Sequence, residues 1–448
     1  MKNKNEIIVL GGGESGTGAA ILAKKKRLKV FLSDSKKIDP KYSNVLKHFE
    51  IEFEESGHSL DRILQAVEVI KSPGIPDNIP LIKRIQEKGI PIISEIEFAK
   101  RYTNAKTICI TGSNGKTTTT LLIHHILKNA GLNVGLAGNV GKSFAWQVAN
   151  HDYDTYVLEI SSFQLDGMFD FKADIAILLN ITPDHLDRYD YDFDKYAESK
   201  LRILQNQTKN EAFIWCFDDP FLNKVLASRN IAAQQYPFSI HESEIKKGAY
   251  LKNKEIVITN NKTELTMTLE QLALQGKHNL YDSMAAGIAA KLMDIRNESV
   301  KQSLSNFKNI PHRLEYVSSV HGITFINDSK ATNVNATWYA LEDMEKPVVW
   351  IAGGIDKGND YDDIKALVKE KVKAIVCLGT DNARLHELFG EDVEIIVDTV
   401  SARGAVEAAY SLAKKDEIVL LSPACASFDL FVNYEDRGNQ FKEAVKRL

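Results

Sequence analysis

The sequence predicts an α/β protein of three domains, each built on an open, mostly parallel sheet flanked by helices. Two observations predict this fold class. Short apolar strands alternate with helical segments along most of the chain, and polar, glycine-containing loops follow the strands at their carboxyl ends. The length of 448 residues is sufficient for about three domains of ordinary size.

The N-terminal region carries a glycine loop between two strands. Glu6 to Leu10 is a short apolar strand that leads into Gly11-Gly-Gly-Glu-Ser-Gly16, and the next strand ends at Asp34. This spacing is typical of a loop whose backbone holds a pyrophosphate while the acid holds a ribose hydroxyl. Gly74, in the turn after a further strand, would complete a site for a nucleotide diphosphate. The alternative is that these turns only connect strands and helices, and Glu14 puts a carboxylate in a loop meant for phosphates.

A second glycine loop, Thr111-Gly-Ser-Asn-Gly-Lys-Thr-Thr-Thr119, lies between an apolar strand and a helix. Its glycines let backbone N–H groups turn inward at a helix N-terminus, Lys116 supplies a positive charge, and Thr117 supplies a hydroxyl for Mg²⁺. We expect ATP as the ligand; a glycine turn without a ligand is the alternative. Ile110 stands where the usual phosphate loop has its first glycine, so this is a shortened, threonine-rich variant. The residues expected to contact ATP are Gly112, Asn114, Gly115, Lys116, Thr117 and Thr118.

Two further strands of the central region lead to residues that bind metals. Glu159 ends one strand and His185 lies beyond the next, so both can meet a divalent ion bound to ATP phosphates. Taken alone, His185 could equally be a packed or helix-capping histidine. Lys200, in a helix predicted over residues 193–205, would by itself be a solvated residue. Asn279, in a Gly-x-His-Asn turn, is either a contact for adenine or an ordinary helix cap.

Three polar loops follow strands near the C-terminus. Because the carboxyl ends of parallel strands meet at one edge of a sheet, we expect these loops to line a common site. Its lysines and hydroxyl groups could receive a small molecule that bears a carboxylate, with ordinary capping loops as the alternative. The residues are Asp328, Lys330, Thr332, Lys357 and Ser427.

These motifs predict three domains with two boundaries. Residues 1–98 are expected to form a Rossmann-like domain, residues 99–309 a P-loop-type domain that binds ATP, and residues 310–448 a second Rossmann-like domain. Within the central domain, residues 211–270 read as short strands and turns with a structural role.

Composition is that of an ordinary soluble protein. Hydrophobic residues make up 44% and charged residues 26%, and no apolar run approaches membrane-spanning length. No signal peptide precedes the first strand, and the four cysteines are scattered as in a reducing compartment, so we expect a cytoplasmic protein. A net charge of −4 argues against a nucleic-acid partner but allows an anionic substrate beside a local positive charge.

Together, these motifs resemble the Mur ligases, the ATP-dependent enzymes that form amide bonds in cytoplasmic peptidoglycan assembly. The resemblance extends over essentially the full length. The motif 327–333, the motif 422–427 and the Ser72-Pro-Gly74 turn are typical of the members that add D-glutamate. The Asp-Asn-Pro-Arg motif of the members that add diaminopimelate or lysine does not occur in the sequence. The remaining matching stretches are the phosphate loop and residues 138–141, 159–165, 184–188 and 311–315.

The resemblance implies that the chain adds D-glutamate to UDP-N-acetylmuramoyl-L-alanine through an acyl phosphate, with ATP and two Mg²⁺ ions. Lys116, His185 and Lys200 would take part in catalysis. The metal ligands would be Thr117, Glu159, His185 and Lys200, the last after carbamylation, which turns its cation into an anion. We expect a monomer without membrane insertion.

The resemblance also implies a set of substrate contacts. Asn279, Arg313 and Asp328 would contact the nucleotide. The UDP-linked substrate would contact Ser15, Asp34, Lys36, Gly74, Asn139 and Ser161, and D-glutamate would contact Lys330, Thr332, Lys357, Ser427 and Tyr434. Two departures bring local contacts into question: Glu14 in the first glycine loop, and Asp282, where the family often has asparagine.

Two other functions are compatible with parts of this pattern. A ligase similar to folylpolyglutamate synthase has the same fold but does not need a complete UDP-binding domain before the ATP loop. A non-catalytic sensor of UDP-sugars or dinucleotides would be expected to lack at least one of the residues Lys116, Glu159, His185 and Lys200, and all four are present.

Overall fold

The predicted alternation of strands and helices runs through the computed structural model, which describes residues 6–241, 245–260, 264–274, 276–307, 311–356 and 358–448. Three sheets form and each is mostly parallel, which confirms the predicted fold class. The chain divides into two compact units, Met1–Gln275 with Asn279–Phe307, and Gly276–His278 with Lys308–Leu448. Among the described residues, no helix combines the length and the apolarity that a bilayer crossing requires.

The N-terminal sheet has five strands. Its elements are β1 (Glu6–Leu10), α1 (Glu14–Lys25), β2 (Lys29–Ser33), α2 (Pro40–His48), β3 (Glu52–Glu54), α3 (Leu60–Ile63), β4 (Glu68–Lys71), α4 (Pro80–Glu87), β5 (Ile92–Ile93) and α5 (Glu95–Lys100). All the strands are parallel, in the order β3-β2-β1-β4-β5. Every residue of the central β1 is buried, as expected for a sheet covered on both faces.

The central sheet has nine strands. Its elements are β6 (Lys106–Thr111), α6 (Lys116–Asn129), β7 (Val134–Gly138), α7 (Phe144–Asn150), β8 (Thr155–Glu159), α8 (Ser162–Leu165), β9 (Ile175–Leu178), α9 (Phe193–Leu201), β10 (Ala212–Cys216), α10 (Pro220–Ala227), β11 (Gln234–Ser239), β12 (Gly248–Lys252), β13 (Glu255–Thr259), β14 (Glu264–Thr268), α11 (Lys277–Leu292) and α12 (Asn297–Asn306). The order is β14-β13-β12-β11-β10-β9-β6-β8-β7, and only the pairs β12–β13 and β13–β14 are antiparallel. Strands β10 to β14, which lie within residues 211–270, therefore extend the sheet of the second glycine loop at one edge.

The first two sheets share one hydrophobic core within the first unit. Helix α1 packs against α7, and a side chain at Gly18 would come within 2.0 Å of the Ser143 hydroxyl, so this close approach requires glycine. Helix α5 also buries Ile96 and Phe98 in this core. The predicted boundary after residue 98 falls inside α5, and the boundary after residue 309 lies outside the described residues, so both stay predictions.

The C-terminal sheet has six strands. Its elements are β15 (Glu315–Val320), β16 (Ile323–Asn327), α13 (Val334–Glu342), β17 (Val348–Ala352), α14 (Asp362–Lys371), β18 (Val372–Leu378), α15 (Ala383–Phe389), β19 (Ile395–Thr399), α16 (Ala402–Leu412), β20 (Ile418–Leu421) and α17 (Tyr434–Val445). The order is β15-β16-β20-β17-β18-β19, with β15 antiparallel to β16 and the other pairs parallel. The three predicted polar loops follow the neighbouring strands β16, β20 and β17.

Candidate active site

The phosphate loop connects β6, near the middle of the central sheet, to the N-terminus of α6. Gly115 has a φ of +82°, and a side chain there would come within 2.5 Å of Asp282 Oδ1, so glycine is required on both counts. Lys116 Nζ donates to the carbonyl oxygens of Gly112 and Ser113, each at 2.8 Å. The loop therefore has the tight backbone and the positive charge that an anionic ligand needs.

A neighbouring asparagine braces this loop. The Asn114 N–H donates to Asn180 Oδ1 at 2.8 Å, and the Asn180 amide donates back to the Asn114 carbonyl at 3.2 Å. Asn180 comes shortly after β9, which pairs with β6. No role was predicted for Asn180 from the sequence, although its place beyond the carboxyl end of a strand was a usable signal.

Asp282, one of the two departures from the family pattern, lies directly against the phosphate loop. It is 1% exposed, and Thr119 Oγ1 donates to its Oδ1 at 2.8 Å. The carboxylate thus accepts a hydrogen bond from the start of α6. An asparagine oxygen could accept the same bond, so aspartate in place of the family's asparagine preserves this contact.

Glu159, at the end of β8, presents an unsatisfied carboxylate oxygen. Its side chain is 2% exposed, and Asn139 Nδ2 donates to Oε1 at 2.7 Å. Oε2 is buried and has no hydrogen-bond partner among the residues that the structure describes. A buried carboxylate oxygen is stable when a cation compensates it, so this donor set fits a metal ion. Asn139, predicted to contact the substrate, orients this carboxylate.

Lys200 is buried beside the phosphate loop, where the sequence alone predicted a solvated residue. It is 2% exposed, and its Nζ donates at 2.9 Å to the Gly112 carbonyl, which also accepts from Lys116. Burial, with the nearby charge of Lys116, lowers the pKa of Lys200 well below its usual value. Residues four apart lie on the same face of a helix, so the position of Lys200 four residues after the apolar Tyr196 was the sequence signal for its burial.

His185 lies in the segment that follows β9. Its backbone has a φ of +52°, which is rare for a residue other than glycine and marks a sharply turned segment. The imidazole Nε2 lies 3.7 Å from Asp184 Oδ2, and the ring contacts Phe163 edge-on with 5.3 Å between centroids. The side chain is 40% exposed, so it is available to a ligand.

The first glycine loop closes on Asp34. Gly11 has a φ of +97°, and a side chain at Gly16 would collide with the Gly11 carbonyl oxygen. Asp34 Oδ2 accepts from the Gly12 N–H at 2.6 Å, and Oδ1 accepts from the Lys36 N–H at 2.8 Å. Asp34, predicted as a ribose contact, thus also holds the loop together.

Glu14, the other residue that departs from the family pattern, points toward the connection between β7 and α7. Its Oε1 accepts from the Ser143 N–H at 3.4 Å, and its Oε2 lies 3.5 Å from Lys142 Nζ. These contacts account for the carboxylate that the sequence placed in a phosphate-type loop.

The remaining residues predicted to contact the UDP-linked substrate lie in the same unit. Ser15 is in the first turn of α1, and Gly74 is in the turn after β4, where the Pro73 carbonyl accepts from Arg188 Nη2 at 3.5 Å. Ser161 caps α8 through a reciprocal pair of hydrogen bonds with Gln164. Asn279, predicted for adenine, is in the first turn of α11, where its carbonyl accepts from Ser283.

The C-terminal unit contains the described residues that were predicted for D-glutamate, together with two that were predicted for the nucleotide. Lys330 Nζ lies 5.3 Å from the centre of the Tyr434 ring, and Ser427 is buried. Burial raises the pKa of Asp328 to about 7, while hydrogen bonds from Ser422 and Leu314 favour its ionised form. Arg313 Nε is buried and has no hydrogen-bond partner among the described residues. Thr332 is half-buried in the same loop as Lys330, and Lys357 lies outside the described residues.

Comparison with known sequences and structures identifies the family. The MurD N-terminal domain matches residues 6–79, the Mur ligase middle domain matches residues 110–290, and the Mur ligase glutamate ligase domain matches residues 312–425. The chain is 57% identical over 443 residues to a Bacteroides fragilis protein named UDP-N-acetylmuramoylalanine--D-glutamate ligase, covering 99% of both. A Christiangramia forsetii protein of the same name is 55% identical over 443 residues, again covering 99% of both.

A solved structure shares the fold. The UDP-N-acetylmuramate-alanine ligase of Thermotoga maritima superposes with a TM-score of 0.63 at 17% identity, over 99% of both chains. The resemblance stated from the motifs is thereby confirmed: this chain belongs to the Mur ligase family.

Proposed function

We propose that this chain is an ATP-dependent ligase that adds D-glutamate to UDP-N-acetylmuramoyl-L-alanine and releases ADP and phosphate. One observation supports the proposal most directly. Lys116 and the buried Lys200 both donate to the Gly112 carbonyl of the phosphate loop, and Glu159, at the end of the neighbouring strand β8, has an unsatisfied carboxylate oxygen. Phosphoryl transfer to a carboxylate needs such a site, because cations must offset the repulsion between two anions. The names of the 55% and 57% identical relatives support the choice of substrates.

The match of the N-terminal domain distinguishes this function from its nearest rival. A folylpolyglutamate synthase-like ligase has no need for a UDP-binding domain, whereas residues 6–79 match the N-terminal domain of the D-glutamate-adding enzymes. The glycine loop closed by Asp34 supports a nucleotide diphosphate there. Ser15, Lys36, Gly74, Asn139 and Ser161 are proposed to complete the contacts with this substrate.

Magnesium is proposed as the metal. Thr117, Glu159, His185 and Lys200 would hold it, and the buried, unpartnered Oε2 of Glu159 fits that role. When bound, the ions would neutralise charge on the phosphate oxygens. Lys200 would serve as a ligand only after its amine had taken up CO₂ and lost a proton to become a carbamate. Its deep burial and lowered pKa favour the neutral amine that this reaction requires.

The reaction is proposed to proceed in two displacements. The carboxylate oxygen of the L-alanyl group attacks the γ-phosphorus of ATP, the bond to the bridging oxygen breaks, and ADP leaves. The amine of D-glutamate then attacks the carbonyl carbon of the acyl phosphate, and the tetrahedral intermediate expels phosphate as the nitrogen loses its proton. Lys116 stabilises the developing charge on the transferred group, and His185 is proposed to act close to the reacting carboxylate.

The remaining predicted residues are proposed to hold ATP and D-glutamate. Asn279, Arg313 and Asp328 would contact the nucleotide, and the unpartnered Arg313 Nε supports an anionic or carbonyl acceptor there. Lys330, Thr332, Lys357, Ser427 and Tyr434 would hold D-glutamate. The proximity of the Lys330 ammonium to the Tyr434 ring supports a common site for these two residues.

Phosphate release measures this function directly. The purified chain, given Mg²⁺ and ATP, is expected to release phosphate only when both UDP-N-acetylmuramoyl-L-alanine and D-glutamate are present, and mass spectrometry should find the joined product. Reactions that lack one substrate, or that contain L-glutamate, are the controls. Phosphate release that does not depend on one of the two substrates, or the absence of a new amide bond, would contradict the proposal.

We also propose a cytoplasmic monomer without a nucleic-acid partner. The substrates proposed here are cytoplasmic precursors, and the net charge is −4. Light scattering coupled to size exclusion is expected to give a mass near 50.1 kDa, and twice that mass would contradict the monomer.

A further inference from the structure

A single buried arginine connects the polar loops of the C-terminal sheet. Arg437, on α17, is 1% exposed. Its Nε donates to Ser329 Oγ at 3.0 Å and its Nη2 to the Ser329 carbonyl at 2.8 Å. Its Nη1 donates to the carbonyls of Cys425 at 3.2 Å and Gly353 at 3.4 Å. One planar guanidinium thereby binds three separate stretches of backbone.

These acceptors belong to loops that follow three neighbouring strands, β16, β20 and β17. Ser329 immediately precedes Lys330, and Cys425 lies two residues before Ser427. Ser329 Oγ also donates to the Tyr434 carbonyl at 2.8 Å, at the start of the helix that carries Arg437. Residues that we propose for D-glutamate are thus connected through the hydrogen bonds of Arg437.

Stability alone does not explain why a charged residue is buried at position 437. Its hydrogen-bond acceptors are carbonyl and hydroxyl oxygens, which satisfy its N–H groups, whereas the carboxylates of Asp328 and Asp429 act on its charge without accepting a hydrogen bond from it. Burial lowers the pKa of Arg437 to about 10, so the guanidinium stays charged at neutral pH. An apolar side chain of similar volume would avoid the desolvation penalty of a buried charge. What such a side chain could not do is hold three loops in one geometry.

We propose that Arg437 is a positioning residue for the amino-acid substrate. It keeps Lys330, Ser427 and Tyr434 at the mutual spacing that a dicarboxylic amino acid requires, and it acts through the backbones of Ser329 and Cys425 without touching the substrate. This inference rests on the proposed function. It adds a residue of α17 to the determinants of D-glutamate binding.

Steady-state kinetics of two variants test the proposal. Arg437→Lys keeps the charge but loses the planar fork, and Arg437→Met loses both. The matched control is Arg403→Met on α16, because Arg403 is 72% exposed and forms an ion pair with Glu407 one turn away. KM is measured separately for D-glutamate, ATP and UDP-N-acetylmuramoyl-L-alanine, with the thermal midpoint of each variant.

Arg437→Lys is expected to raise the KM for D-glutamate roughly 10- to 100-fold, while the other two KM values stay within about 2-fold and the control resembles wild type. A purely structural role would reduce the active fraction and hence kcat, but it would leave this KM unchanged. An unchanged KM for D-glutamate, or an equal rise in all three, would overturn the proposal. If Arg437→Met does not fold, the lysine variant alone decides. If phosphate release by the wild-type chain did not depend on D-glutamate, the proposed function itself would be refuted.

Discussion

Lys116 is the residue on which we expect phosphate activation to depend most directly. Because its ammonium group lies over the phosphate loop, Lys116→Ala should lower turnover about 10³-fold or more while the fold stays intact. Lys128→Ala, on the exposed face of the same helix, is the control. Phosphate release and circular dichroism are the measurements, and near wild-type phosphate release would show that the ATP loop is wrongly assigned.

The unsatisfied oxygen of Glu159 predicts a specific metal dependence. Glu159→Gln keeps an acceptor for Asn139 but removes the negative charge that would face the cation. We expect the Mg²⁺ concentration for half-maximal turnover to rise roughly 10- to 100-fold. Glu198→Gln, at an exposed position on α9, should leave it unchanged. An unaltered Mg²⁺ requirement in Glu159→Gln would remove this residue from the metal site.

Lys200 predicts a covalent modification that spectroscopy can detect. Its amine is enclosed beside Gly112, where a carbamate would place a negative charge near the positive charge of Lys116. Protein equilibrated with ¹³C-labelled bicarbonate should give a carbamate ¹³C resonance that is absent in Lys200→Met. The same resonance in that variant would assign the carbamate to another amine.

At the scale of elements, the junction of α5 and α7 contains a buried acid. Glu95 is 2% exposed, its Oε1 accepts from the Ala145 N–H, and its Oε2 has no hydrogen-bond partner among the described residues. Burial raises the pKa of Glu95 to about 8, with a further contribution from the charge of Glu14. The backbone N–H groups at the N-terminus of α7 stabilise the ionised form, but they only partly offset the effect of burial on the pKa. Folding therefore favours the protonated form of Glu95.

This junction predicts how stability depends on pH. Because the folded-state pKa lies above the unfolded value of 4.5, the stabilising contribution is complete below about pH 4.5 and is lost as the pH rises through 8. Glu95→Gln should therefore gain stability relative to wild type with rising pH, by up to about 5 kcal/mol near pH 9. Urea unfolding at several pH values measures this, with the exposed Glu87→Gln as control. Parallel pH profiles for wild type and Glu95→Gln would contradict the prediction.

Polar residues at the carboxyl ends of strands were well predicted at this scale. Strands β1, β6 and β16 lie where the apolar runs indicated, and the loops after them lie where the glycines or polar residues indicated. The antiparallel strands β12–β14 were not assigned to a sheet, because hydrophobic alternation identifies a strand but not its pairing partner.

At the scale of the whole molecule, the shared core of the first unit predicts which fragments fold. Helix α1 buries Gly16 through Ala23, partly against α7, so residues 1–98 alone would expose a continuous apolar surface. We expect residues 1–98 to remain unfolded or aggregate, and residues 1–307 and 311–448 each to unfold cooperatively. Circular dichroism with urea titration measures this. A cooperative transition in fragment 1–98 would show that its sheet is independent of the central one.

The sequence by itself determined the features that depend on neighbouring residues: the α/β class, the two glycine loops, and the acids and lysines at the ends of strands. Local dihedral preferences and short-range periodicity specify these, and the family motifs are equally local. Only the tertiary structure decided that Lys200 meets the Gly112 carbonyl across 88 residues, and that Arg437 reaches Ser329 across 108. Whether a charged side chain is buried or solvated depends on packing between distant segments, and no local pattern encodes that packing fully.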